Sequence, residues 1–175
     1  MTRTMRSASL DGYVSLARSC GQDPFRLIDK ARIPRNCLRS PDLRLSIGAY
    51  CRLLEATAKA ADADDFGIRL AESRQLSTFG PVGLVMREQP TVRHAIRALM
   101  DNISLHNESA SLILEEHDDI VIVRPDLAVP RGVPSYQAKD MVLGVVCRIL
   151  SLLLGPAWRP QNVCFMRSAP RNAAA

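Results

Sequence analysis

The sequence predicts an α+β domain: a helical N-terminal half packed on a small antiparallel sheet, with one long apolar helix after it. Three observations carry that reading. Apolar residues recur at helical spacing through most of the first hundred positions. Ser109 to Glu116 then alternates, with Leu112 and Leu114 on one face, and Ile120-Val-Ile-Val123 is β-branched throughout. Last, Pro134 to Leu154 is apolar on most sides, which marks a core or interface helix.

Taken in order, Tyr13, Leu16, Ala17 and Cys20 fall at i, i+3, i+4 and i+7, and Gly21 ends that helix. Asp23-Pro24 opens a second one, with the carboxylate accepting free N–H groups and proline at the first helical position. Its apolar face is Phe25, Leu27, Ile28 and Ala31, and Pro34 ends it. Residues 32–44 read as an arginine-rich connector. Ser46 is placed to cap a helix with the stripe Ile47, Tyr50, Cys51, Leu54 and Ala58, and Asp62 to Asp65 is an acidic start before Phe66, Leu70 and Ala71. Gly80-Pro81 opens a short helix through Met86, and Thr91 caps one that buries Val92, Ala95, Ile96, Leu99 and Ile103. His117-Asp118-Asp119 turns the chain into Ile120–Val123, a strand apolar on both sides and so expected to be covered on both faces. Val163 and Phe165 are expected to form a last short strand. Residues 1–9 are expected to be a disordered lead, 10–170 the domain itself, and 171–175 a loose tail.

At 175 residues the chain suits one domain, able to bury roughly 70% of its unfolded surface without disulfides or a metal. Hydrophobic residues are 47% and charged residues 23%, an ordinary soluble balance, while 5% aromatics argue against a base-stacking platform. The net charge of +5 sits wholly in residues 1–44, with nine Arg/Lys against four Asp/Glu. Either that quarter meets an anionic partner or it is a solvated basic face. The basic residues lie in connectors and not on one recognition helix, which counts against this chain reading DNA by itself. Five cysteines without a C-x-x-C pair read as reduced thiols, and with no signal peptide or membrane span the expected location is cytoplasmic.

No catalytic signature is present. His94, His106 and His117 have no metal-ligand partner at i+3 or i+4, and there is no P-loop, G-x-S-x-G or G-x-G-x-x-G. The chain reads as a protein without enzymatic activity, metal or cofactor.

Ser77-Thr-Phe-Gly-Pro-Val-Gly83 followed by Pro90-Thr-Val-Arg-His-Ala-Ile96 resembles a motif pair in the N-terminal effector-binding domains of AraC/XylS-type transcription regulators, in the arabinose-binding-domain-like branch. Leu152-Leu-Leu-Gly-Pro-Ala-Trp-Arg-Pro160, then Val163-Cys-Phe-Met-Arg-Ser-Ala-Pro170, is similar to that family's ending, with Arg167 where a histidine is usual. Gly12-Tyr-Val and Gly21-Gln-Asp-Pro match its opening. The resemblance spans about residues 10–170. It implies a regulatory domain that binds a small-molecule effector, forms a homodimer, and reaches DNA only through C-terminal helix-turn-helix units expected to be absent from this chain.

Two patterns bear on the effector. Arg35 and Arg39 form an R-x-x-x-R with Arg44 nearby, and Ser77 and Gly80 form an S-x-x-G; together they resemble the two halves of a PilZ-type cyclic-di-GMP site. Paired guanidinium forks suit phosphate and guanine, and a serine–glycine turn lets backbone approach a ribose-phosphate. Arg93 and Arg97 are a second R-x-x-x-R. Against this, 20 arginines give ~2 such pairs by chance, and Gln75 replaces the acidic or amide residue of the second half. A small metabolite, such as an amino or organic acid, in a pocket between sheet and helices has at least as strong a claim, and a ligand-free dimerisation domain is a third reading.

Overall fold

The computed structural model describes residues 3–167. Its first strand, β1 (Thr4–Arg6), lies inside the expected loose lead. It pairs antiparallel with β2 (Arg44–Ser46), Thr4 opposite Ser46 and Met5 opposite Leu45, and a buried 3₁₀ turn, Ser7–Leu10, follows. Met5 and Leu10 are buried in the core, and that burial orders a segment too short to show a periodic pattern.

The helices arrive where the apolar spacing puts them: α1 (Tyr13–Ser19), α2 (Pro24–Lys30), α3 (Ile47–Ala61), α4 (Phe66–Glu72), α5 (Pro81–Arg87) and α6 (Val92–His106). Two 3₁₀ turns, Arg35–Leu38 and Leu76–Phe79, stand between them. Asp23 caps α2 by accepting from Phe25 N at 2.9 Å and Arg26 N at 3.2 Å, and Thr91 caps α6 through His94 N at 3.3 Å. Ser46 makes no such bond, because it closes β2 instead, and Asp65 makes none either. The α3 stripe packs Tyr50, Cys51, Leu53 and Leu54 into the core. Tyr13 bonds Thr57 at 2.9 Å and meets the Phe66 ring edge-on, tying α1, α3 and α4 together.

The hairpin is β3 (Ala110–His117) with β4 (Ile120–Leu127), in register from Ala110↔Leu127 to His117↔Ile120. It is a two-stranded ribbon, so Ile120–Val123 is not a strand covered on both faces: Ile120, Val121 and Ile122 are exposed. The inward face is Leu112, Leu114, Val123, Pro125 and Leu127, and β4 runs on through Pro125 because an edge strand tolerates a missing N–H. Val163 and Phe165 form no strand; they are exposed in irregular chain, with no neighbouring strand to pair with among the described residues. The expected tail at 171–175 lies outside the described residues.

The long helix, α7 (Tyr136–Leu154), is largely core. It runs against α4 so closely that a Cβ on Gly67 would stand 2.0 Å from Gln137 O. Gly67 N donates to Gln137 Oε1 at 2.7 Å across the same contact. Met141, Val145, Val146 and Ile149 are buried, while Tyr136, Leu152 and Leu154 are exposed.

Candidate functional site

Between the hairpin, α3, α6 and α7 lies a partly open cavity of about 70 Å³. Its walls are apolar: Ile47 from α3, Leu99 and Ile103 from α6, Leu112 and Leu127 from the hairpin, and Val145, Val146 and Ile149 from α7. Met5 and Phe79 close it from β1 and the Leu76–Phe79 turn. A few polar groups converge on this apolar space, the usual make-up of a small-molecule site: Ser9, Tyr50, Arg74, Thr78, His106, Asn107 and Ser111.

Arg74 is the charged member of that lining and is 2% exposed. It sits just past the end of α4, and its side chain runs under the Ser7–Leu10 turn. There it donates to Ala8 O at 3.2 Å and Ser9 O at 2.7 Å. Its Nε has no hydrogen-bond partner. Tyr50 Oη lies 3.1 Å from the same Ser9 carbonyl, and burial raises the phenol's pKa.

His106, the last residue of α6, is buried against Phe79 with ring centroids 4.9 Å apart. Its Nδ1 faces Arg6 Nη1 at 3.5 Å, and its Nε2 faces Ser9 Oγ at 3.3 Å. Arginine can only donate, so Nδ1 accepts and Nε2 carries the proton. Burial first, then the positive fields of Arg6, Arg74 and Arg44, push the imidazole pKa down to about 4. It is therefore neutral near neutral pH.

The seven residues singled out from the sequence lie elsewhere: Gly80 N donates to Ser77 O at 3.0 Å within one turn, but none of the five arginines bonds to another of the seven. Arg35 is exposed over the Phe25 ring and forks onto Asp29, with Nε to Oδ1 at 2.9 Å. That pairing holds the Asp29 carboxyl below its usual pKa. Arg39 is exposed at the end of the same turn, and Arg44 donates from β2 to Leu105 O at 3.1 Å. Arg93 and Arg97 both face Glu116 on β3, at 2.6 and 3.7 Å. Ser77 is exposed, and Gly80 has φ +59° and ψ −129°, a conformation open essentially to glycine alone. A Cβ at Gly80 would come 2.7 Å from Arg6 Nη1, so this glycine makes room for the arginine that faces His106. Sequence reasoning missed Arg74, since nothing marks one buried arginine among 20.

No group of His, Cys, Asp and Glu among the described residues could hold a metal ion. The cysteines are free, with Cys37 and Cys51 buried, and no helix among the described residues is long and apolar enough to cross a membrane.

Comparison with known proteins places this architecture. Residues 21–175 match the family described as the arabinose-binding domain of AraC transcription regulators, N-terminal. The chain is 29% identical over 163 residues to the HTH-type transcriptional regulator VirS of Mycobacterium tuberculosis, from two strains. That alignment covers 92% of this chain and 48% of the relative, so the chain spans about half the length of the curated relatives it matches. The chain belongs to the family of N-terminal arabinose-binding-type domains of AraC transcription regulators.

Proposed function

We propose that this domain senses a small effector of mostly apolar character, held in the cavity between the hairpin, α3, α6 and α7. The observation that carries the reading is the cavity itself: apolar walls from four elements, with a few polar groups among its lining residues. Occupancy stiffens the packing of α6 and α7 against the hairpin. In a full-length cytoplasmic regulator, that change sets how helix-turn-helix units outside this chain meet DNA. A homodimer is part of this reading, with the exposed end of α7 (Leu152, Leu154) as its candidate face.

The test is a thermal-shift screen of amino acids, organic acids and apolar metabolites on the wild-type chain and on Ile103→Trp, which fills the half-buried rim of the cavity. A true effector raises the wild-type melting temperature and leaves Ile103→Trp unmoved. A compound that stabilises both equally is bound somewhere else, and the cavity reading fails.

Cyclic-di-GMP at Arg35 and Arg39 is the second reading, favoured by two exposed guanidinium groups four residues apart on one turn. It requires Arg35 to exchange Asp29 for a phosphate or a guanine edge. Calorimetric titration beside the Arg35→Ala/Arg39→Ala double variant decides it: micromolar binding lost in the variant supports a surface clamp, and no heat ends the idea.

A further inference from the structure

Arg74 carries a charge that the protein itself leaves unbalanced. A guanidinium that is 2% exposed stands in a space walled by aliphatic side chains, and no carboxylate among the described residues pairs with it. Two backbone carbonyls take part of its donor capacity, but they are neutral, and the Nε proton has no acceptor at all. A buried water could accept that hydrogen bond yet could not balance the charge. No Asp, Glu or Lys lines the cavity, and Arg6, beyond His106, already has its own carboxylate. Asp42, which pairs with Arg6 at 2.6 Å, has an 80% exposed side chain and lies at the surface.

We infer that the effector is an organic monoanion, a carboxylate on a compact apolar body, whose charged end pairs with Arg74 while its apolar end fills the space against α6 and α7. This rests on the cavity being the effector site. The carboxylate accepts from Arg74 Nε and from the nearby Ser9 hydroxyl, and guanidinium–carboxylate pairing is both strong and directional. His106, with its proton on Nε2, completes a rim of donors and keeps the charge of the site at one, which suits a monoanion better than a phosphodiester. No carboxylate lines the cavity to pair with the ammonium group of a zwitterion, which favours a monoanion over an amino acid.

The experiment is calorimetric titration with two probes that differ in charge and hardly in shape, cyclohexanecarboxylate and cyclohexanecarboxamide. The wild-type chain binds the carboxylate tighter than the amide by roughly 10-fold or more, the expected scale for one buried charge-assisted contact. Ile103→Trp loses both, and Arg74→Met loses the preference. Because Arg74 also anchors Ala8 and Ser9, its replacement costs stability as well, so the ratio of the two probes on the wild-type chain decides. A carboxylate that binds no tighter than the amide, or not at all, overturns the inference. If the amide then binds wild type and not Ile103→Trp, the cavity reading survives alone. A carboxylate retained by Ile103→Trp overturns both.

Discussion

His106 shows how one side chain links the site to stability. Its folded pKa, about 4, lies below the ordinary 6.5, so the folded state binds its proton more weakly than the unfolded one. The stability it allows is whole above pH 6.5 and falls as the pH drops toward 4, by about 2 kcal/mol at pH 5. Chemical denaturation at pH 7, 6 and 5 should show that loss, and His106→Gln should flatten it in this window. A profile unchanged by the substitution would mean that other groups govern the acid limb. At this scale the sequence was least legible. The Arg35/Arg39 spacing was visible, but not that Asp29, six residues earlier, engages one of the pair. Arg74 has no distinguishing neighbours in sequence; only the folded chain shows that it is enclosed.

Among elements, legibility followed the local signals. Asp23-Pro24, Gly80-Pro81 and Thr91 are short-range helix starts, and α2, α5 and α6 begin beside them. The hairpin was readable from its alternation, but its outer face was not: an all-β-branched run looks the same whether a second layer covers it or water does. β1 and β2 were invisible, since each has three residues and their pairing spans some forty positions. The contact between α4 and α7 yields a sharp prediction. Gly67→Val would drive a side chain into the Gln137 carbonyl, and the cost should be about 3 kcal/mol or more, because backbone cannot yield as a side-chain tip can. The variant's denaturation midpoint measures it; a loss under about 1 kcal/mol would show that the two helices slide apart freely.

On the scale of the whole molecule, the irregular segment after α7 is held at its end by Arg167, which reaches Asp140 at 2.6 Å through Nε and Asp64 O at 2.8 Å. Asp140 is almost fully buried, so Arg167→Ala would leave its charge enclosed, and the expected loss is about 3–5 kcal/mol. Urea denaturation checks it, and Arg167→Lys separates charge from the guanidinium's two-donor geometry by recovering part of the stability. A full recovery would mean that charge alone matters. The position where relatives of this domain were expected to carry histidine thus has a structural task here. The cavity, for its part, is walled by residues from Met5 to Ile149. During synthesis its floor leaves the ribosome long before its last wall, and no shorter N-terminal fragment can complete it. On the proposed reading, an effector held in this cavity can meet only a chain whose seventh helix has already emerged and docked, so that signal perception would wait on the end of the domain's own translation.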